Sequence, residues 1–271
     1  MSMDRDGFVV VEKFFSNDEI NELRAMVDNH LNRDGGHFIY HNSGKVISNA
    51  FEYVQDLYKK VVTKKLAEVL KQELGDIVYL HHSDVHYNMF NGWHKDVAEK
   101  YVPGIFTDAS IYDRAKIFKV GIYLQDCTNN KIGLTVRKGS HKHLDNTGDE
   151  FYISSSVGDI LIFDQRLYHR GFYPTDEYLQ IASEIDAEFP DPSRALEEKF
   201  IVFQKLRKDH QNEKFSIFVG FGADDDISLR FANGIIARQN IQNNINYERP
   251  STHLLNYFNS IGIPYAKTWE E

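Results

Sequence analysis

The chain has 271 residues, of which 42% are hydrophobic and 13% aromatic, so it can bury a core and is not intrinsically disordered. Its net charge of −9, without a concentrated basic cluster, argues against nucleic acid as a partner. A single cysteine, Cys127, excludes an internal disulfide and a multi-cysteine zinc site. There is no apolar run of ~18 residues and no recognisable signal peptide, so we expect a cytoplasmic protein without membrane partners.

The segment 1–76 is typical of a helical scaffold. A short strand at 7–13 precedes Ser16-Asn17-Asp18-Glu19, a capping-box pattern that predicts the start of a helix. A second helix is predicted over 48–74, where apolar residues recur at helical spacing, and Gly75 is expected to end it. We assign no chemistry to these elements.

From Ile77 onward, short runs of β-branched and aromatic residues alternate with turn residues. The predicted strands are 77–87, 117–125, 132–137, 151–157, 160–163, 200–206 and 215–221. Many short strands indicate a sandwich or barrel core over 77–223. The charged stretch 174–199 shows no periodicity and is predicted to be a loop that acts as a mobile lid. The tail 224–271 is predicted to be helical, and the whole chain to form a single domain.

The chain contains three His-x-Asp triplets, namely His82/Asp84, His94/Asp96 and His143/Asp145. Mononuclear non-haem Fe(II) oxygenases bind iron through two imidazoles and one carboxylate on one face of the metal. Two of these ligands can come from positions i and i+2 at one strand end, because those side chains point the same way. The third ligand, a second histidine, arrives from a distant strand.

Position discriminates among the triplets. His143/Asp145 lies too close in sequence to His169 for the chain to wrap a barrel between them, and His82/Asp84 lies inside a predicted strand. His94/Asp96 instead follows a Gly-Trp turn at a strand end, with several strands before His169. We therefore predict His94, Asp96 and His169 as metal ligands. Spacing alone leaves open a solvated loop pair and a hydrogen-bonded core histidine.

Four sequence blocks, in order, resemble the phytanoyl-CoA dioxygenase family of 2-oxoglutarate oxygenases, and the resemblance spans most of the chain. The blocks are Asp6–Val11 with Phe14-Phe15-Ser16, Gly92–Asp96, Gly121–Asp126 with Gly133–Val136 and Gly139–Lys142, and Gly158–Gly171. The resemblance implies an α+β fold with a mainly β core. This core would be a double-stranded β-helix (jelly roll, cupin-like) with N-terminal and C-terminal helices packed on it. It also implies Fe(II), with 2-oxoglutarate and dioxygen as cosubstrates.

Two positions depart from the family pattern. Lys138 stands where the family has proline in a turn, which is a minor change. The family also has an arginine about eleven residues after the distal histidine, which binds the far carboxylate of 2-oxoglutarate, and here that position is Gln180. Because 174–213 has the character of an insertion, we expect Lys214, at the start of a displaced strand, to replace the arginine. Tyr123 and Arg170 are the other candidates for cosubstrate contacts.

The resemblance implies an Fe(II)- and 2-oxoglutarate-dependent dioxygenase. Related halogenases have Gly or Ala at the position of Asp96, so Asp96 implies hydroxylation, or a related C–H oxidation, with release of succinate and CO2. The charges and tyrosines of 97–115, among them Lys100, Tyr101 and Tyr112, suit a polar small-molecule substrate better than a long acyl chain. Two alternatives stay open. One is a metal-dependent jelly-roll isomerase or epimerase, and the other is a family member that binds a ligand without turnover, which the missing arginine would favour.

Overall fold

Two antiparallel sheets organise the chain. The structure is a computed structural model that describes residues 1–98, 102, 104–129, 131–171, 175–209, 213–244 and 249–266. Its strands are β1 (Phe8–Val11), β2 (Ile39–His41), β3 (Gly44–Ile47), β4 (Val78–Tyr87), β5 (Ile117–Tyr123), β6 (Leu134–Arg137), β7 (Glu150–Ile153), β8 (Ile160–Asp164), β9 (His169–Arg170) and β10 (Phe215–Gly222).

The larger sheet has seven strands in the order β1-β8-β5-β10-β4-β3-β2, and the smaller sheet has three in the order β7-β6-β9. Apolar side chains from one face of the larger sheet, such as Phe163 and Phe218, pack against Val136 and its neighbours on the smaller sheet. We call this face the inner face. Two packed antiparallel sheets form the jelly roll, which confirms the predicted α+β fold with a mainly β core.

Helices cover the outer face of the larger sheet, and most of them belong to the N-terminal and C-terminal parts of the chain. They are α1 (Met3–Asp6), α2 (Asn17–Asn32), α3 (Ala50–Tyr53), α4 (Leu57–Val61), α5 (Lys64–Leu74), α6 (Ala109–Arg114), α7 (Asp176–Glu188), α8 (Pro192–Asp209), α9 (Asp226–Asn243) and α10 (Thr252–Ser260). On β5, Val120 and Ile122 point outward into the main core, which also contains Leu66 of α5 and Phe258 of α10. Each such fully buried side chain stabilises the fold by about 1.5–3 kcal/mol. Within the described ranges, no helix has both the length and the apolar character needed to cross a lipid bilayer.

The predicted start of α2 is confirmed, and the predicted helix over 48–74 is wrong. The Ser16 hydroxyl accepts from the Glu19 N–H, while the Glu19 carboxylate accepts from the Ser16 N–H, which completes the capping box. The second segment instead forms three helices, α3 to α5. Its backbone leaves helical geometry at Val54 and again at Val62, and Asp56 between them has a φ of +58°. Apolar residues recur at helical spacing across Val54 and Val62, so the spacing did not reveal where the helices end.

Over its described residues, 175–199, the insertion consists mainly of helices α7 and α8 and not of the predicted irregular loop, and the predicted strand at 200–206 is wrong. Helices α7 and α8 pack on each other through the stacked rings of Tyr178 and Phe203, whose centroids are 5.0 Å apart. The buried side chains Phe200, Phe203 and Arg207 recur at helical spacing. Over so short a length, the apolar residues of 200–206 fit the spacing of a strand as well as that of a helix, so the sequence did not distinguish the two. The hairpin of β2 and β3, which turns at Asn42 and Ser43 with positive φ at both, was not predicted.

Candidate active site

The structure brings His94, Asp96 and His169 together at one end of the jelly roll. His94 and Asp96 lie on the segment that follows β4, and His169 begins β9. The backbones of the two histidines pair directly, because each N–H donates to the other carbonyl at 2.8 and 2.9 Å. The Asp96 N–H donates to the carbonyl of Gln165 at 3.1 Å. Backbone hydrogen bonds between distant segments therefore position all three side chains.

The three side chains converge on one point. One ligand atom from each lies within 4.8 Å of the others, and no other such group of His, Cys, Asp or Glu occurs in the part of the chain that the structure describes. The Nδ1 atoms of His94 and His169 are 2.7 and 2.8 Å from the carbonyls of Gly92 and Leu167. Each Nδ1 therefore carries the proton, and each Nε2 keeps a lone pair for a metal.

Electrostatics also suit this arrangement to a metal cation. Burial lowers the pKa of His169 to about 3, so the imidazole is neutral at physiological pH and can coordinate. Burial would raise the pKa of Asp96, but Lys119 and the two histidines outweigh it and hold the pKa well below its usual range. The site therefore presents the neutral imidazole of His169 and the carboxylate of Asp96 beside the His94 ring, which is the set of donors that a mononuclear iron site requires.

The two competing triplets form no comparable group. The His82 Nε2 donates to the Asp84 Oδ2 at 2.9 Å within β4, and no third ligand joins them among the described residues. His143 and Asp145 are exposed, and their backbone carbonyls accept from the buried Lys95 ammonium. The choice of His94/Asp96 over both alternatives stays a prediction.

Lys214 lies on the inner side of the jelly roll, next to the chain that follows His169. It is 4% exposed, and a Cβ atom added at Gly171 would come within 3.1 Å of its Nζ. Burial, reinforced by the charge of Arg207, lowers the pKa of Lys214 to about 8. No described carboxylate forms an ion pair with this ammonium. Beside it, the Tyr123 Oη and the Ser216 Oγ are buried and have no hydrogen-bond partner among the described residues.

The other predicted contacts lie elsewhere. Arg170 pairs with Glu150 at 2.8 Å near the surface, and its guanidinium lies 4.9 Å from the centre of the Trp93 ring. Gln180 is exposed on α7 and donates to Glu184. The role of Arg170 in cosubstrate binding stays a prediction. Of the predicted substrate-contacting residues, Tyr112 is buried against Lys95, whereas Lys100 and Tyr101 lie outside the described residues.

A cavity of about 320 Å³ opens beside His94 and Asp96 and is lined mainly by polar side chains. Its lining includes residues that the sequence analysis did not select, namely His82, Asp84 and His86 on β4, Lys119 on β5, and Arg238 and Gln239 on α9. The three β4 residues occupy positions i, i+2 and i+4, which place them on one strand face. That alternation was visible in the sequence and could have identified them.

Asp84 organises one wall of this cavity. Its two carboxylate oxygens accept from the His82 Nε2 and from the Gln239 Nε2, each at 2.9 Å. Burial opposes ionisation of Asp84, but His82, His86 and Lys119 lower its pKa well below the usual range. Burial lowers the pKa of His86 to about 3, so that imidazole is neutral. The wall thus presents hydrogen-bonding groups in fixed orientations.

Comparison with known proteins identifies the family. The model of the family "Phytanoyl-CoA dioxygenase (PhyH)" matches residues 3–173. The ectoine dioxygenase of Sphingopyxis alaskensis is 28% identical over 170 residues, which cover 57% of this chain and 54% of that protein. The chain thus aligns with about half the length of this curated relative.

Solved structures share the fold. One is EctD from S. alaskensis with 2-oxoglutarate and 5-hydroxyectoine, at a TM-score of 0.55 and 19% identity over 82% of this chain and 74% of that one. Another is the non-haem α-ketoglutarate-dependent epimerase SnoN from nogalamycin biosynthesis, at a TM-score of 0.55 and 13% identity over 82% and 80%. The jelly roll is therefore shared with these enzymes, and the family model covers more than half of the chain. The chain belongs to the phytanoyl-CoA dioxygenase (PhyH) family.

Proposed function

We propose that this chain is an Fe(II)- and 2-oxoglutarate-dependent dioxygenase that hydroxylates a small polar molecule at a C–H bond and releases succinate and CO2. The observation that carries the proposal is the convergence of His94, Asp96 and His169 beside a polar cavity, in a jelly roll that also buries Lys214 with no carboxylate partner among the described residues. Membership of the family and the likeness to enzymes crystallised with iron or 2-oxoglutarate support it.

The three side chains fit Fe(II). An imidazole–carboxylate–imidazole set held on one side of the metal leaves positions open for a chelating cosubstrate and dioxygen. The hydrogen bonds from both histidine Nδ1 atoms to backbone carbonyls keep the rings in the binding orientation. We therefore assign His94, Asp96 and His169 as the iron ligands.

The residues around Lys214 fit the far carboxylate of 2-oxoglutarate. Among the described residues this buried ammonium has no anion and the two buried hydroxyls have no partner, and an unsatisfied buried polar group costs about 1–3 kcal/mol. Ser216 and Tyr123 are cross-strand partners in β10 and β5, so their side chains share the inner face. A carboxylate between Lys214, Tyr123 and Ser216 would satisfy all three groups. We assign it to these residues.

The protein's own part in the reaction is binding, orientation and exclusion of water. Bound iron supplies the oxidative chemistry with 2-oxoglutarate and dioxygen. His94, Asp96 and His169 would hold it at the edge of the cavity, and Lys214 would orient the cosubstrate by pairing with its far carboxylate. The apolar residues between the sheets, such as Phe163 and Phe218, exclude water from the inner face.

The cavity favours a small polar substrate. Its volume of about 320 Å³ lies at the lower end of the range of roughly 300–1,000 Å³ for small-molecule sites. A second cavity of about 360 Å³, lined by Trp93 and Tyr168, contacts His94 but neither of the other two predicted ligands. We therefore place the substrate in the polar cavity, where Asp84, His86 and Gln239 can hydrogen-bond to it.

One spectrum and one product assay test the function. Purified protein with Fe(II) and 2-oxoglutarate under anaerobic conditions should develop a weak visible charge-transfer band. Exposure to air should then yield succinate, and a hydroxylated product should gain one oxygen atom. The absence of the band would contradict the proposal. A band with conversion of a substrate to an isomer of equal mass would instead support an epimerase, and a band without succinate would indicate a ligand-binding protein.

We expect binding of the cosubstrate to protect the insertion from proteolysis. The short connection between α7 and α8 lies at exposed residues near Pro190, and α8 is separated from Lys214 by only a few residues. We expect limited proteolysis to cut this connection first and Fe(II) with 2-oxoglutarate to slow the cut several-fold, as for a lid that closes over chemistry. The measurement is cleavage rate by mass spectrometry. Equal cleavage rates with and without ligands would show that the insertion is an ordinary surface segment and not a lid.

A further inference from the structure

We propose that Lys119 is a positioning residue that keeps Asp96 bound to the metal through a single oxygen. This inference rests on the proposed iron site and adds a role that the fold and family do not assign. Lys119 lies on the inner face of β5 and is only 8% exposed. Its Nζ donates to the Asp96 Oδ2 at 2.8 Å.

The two oxygens of Asp96 have different surroundings. The Oδ1 is 3.7 Å from the His94 Nε2 and so faces the point where the three ligand atoms converge. The Oδ2 is held by Lys119 on the other side. A carboxylate that turned to offer both oxygens to the metal would have to break this charge-assisted hydrogen bond, which is among the stronger interactions in proteins.

The sheet places Lys119 on the inner face, within reach of Asp96. Lys119 is the cross-strand partner of Gly220 on β10 and of Phe163 on β8. A Cβ atom at Gly220 would come within 2.9 Å of the His82 Cβ, so only glycine leaves room for β4 side chains at this level. Gly220 thus leaves space for His82 beside Lys119, whose Nζ reaches the Asp96 Oδ2.

The consequence concerns coordination number. Three protein ligand atoms leave three positions on an octahedral metal, which are two for a chelating 2-oxo acid and one for dioxygen. A second oxygen from Asp96 would occupy one of them. Because its hydrogen bond holds the Oδ2 away from the metal, Lys119 leaves two coordination positions open for the chelating 2-oxo acid. Its positive charge also opposes the metal cation, so its removal is not expected to weaken metal binding.

The test uses Co²⁺ as a spectroscopic probe in the full-length protein. In Lys119→Met, Co²⁺ should bind at least as tightly as in the wild type, and its visible spectrum should change with the coordination number. The dissociation constant of 2-oxoglutarate for the Co²⁺-loaded variant should rise at least tenfold. The melting temperature should also increase more on Co²⁺ addition than in the wild type, because without Lys119 the buried Asp96 charge has lost its ion-pair partner and the metal replaces it.

Controls keep the outcomes distinct. Lys45→Met replaces a half-buried lysine on β3 whose ammonium lies over the Phe38 and Phe200 rings, and it should change none of these quantities. If Lys119→Met does not fold, Lys119→Gln is measured in the same way. An unchanged spectrum and 2-oxoglutarate affinity, or at least tenfold weaker Co²⁺ binding, would overturn the role of Lys119 alone. A wild-type protein that takes up no Co²⁺ would overturn the proposed function with it.

Discussion

Alanine in place of His94 or His169 is expected to abolish iron binding while the fold survives. Each variant removes one of the three proposed ligands, and among the described residues no further His, Cys, Asp or Glu joins the group to replace it. Turnover should fall by more than the roughly 100-fold typical of changes that only touch a ligand's hydrogen-bond partner. The measurement is iron per chain by elemental analysis, together with circular dichroism.

The alternative triplet provides the matched control. His82→Ala and Asp84→Ala remove residues from the same cavity that we do not assign as ligands, so both variants should retain one iron per chain. Asp96→Ala should lose it. If His82→Ala or Asp84→Ala abolished iron binding while Asp96→Ala retained it, the ligand assignment would be wrong.

Lys214→Ala is expected to raise the 2-oxoglutarate concentration for half-maximal turnover by roughly ten- to a hundred-fold. This corresponds to the ~1.5–3 kcal/mol of a hydrogen bond to a charged group. Iron binding should not change, because Lys214 does not contact the triad. Lys199→Ala is the control, since Lys199 is already paired with Asp186 on the insertion. An unchanged cosubstrate requirement in Lys214→Ala would contradict the assignment.

The pH dependence gives an independent check on Lys214. Burial lowers the pKa of Lys214 to about 8, so in the free protein the ammonium loses its charge as the pH rises through that value. Because the cosubstrate carboxylate needs the protonated form, its apparent affinity should fall above pH 8, by up to about tenfold per pH unit. Lys214→Arg should bind 2-oxoglutarate with little pH dependence, since arginine stays protonated. A wild-type affinity that is flat to pH 9.5 would contradict this role.

Local patterns in the sequence predicted those features whose cause is itself local. The Ser16 capping box needs only residues a turn apart, and the runs of β-branched and aromatic residues between turn residues predicted β4, β5, β8 and β10. The same reasoning failed where a local pattern fits two structures. The apolar run at 200–206 was predicted as a strand and lies in α8, because burial against Phe90 and α7 selected the helix.

The iron ligands show what the sequence determines and where tertiary structure takes over. The sequence alone, with its block order and the Gly-Trp turn before His94, was sufficient to propose His94, Asp96 and His169. It could not show that Lys119 binds the Asp96 Oδ2, that Arg170 pairs with Glu150, or that His82, Asp84 and His86 face the same cavity. These relations depend on strand order and register, which place β5, β10 and β4 side by side although more than a hundred residues separate Lys214 from Asp84 along the chain. Residue types thus determine which chemistry is available, whereas the pairing of distant strands decides which side chains share a site, because hydrogen bonds and ion pairs act only over a few ångströms.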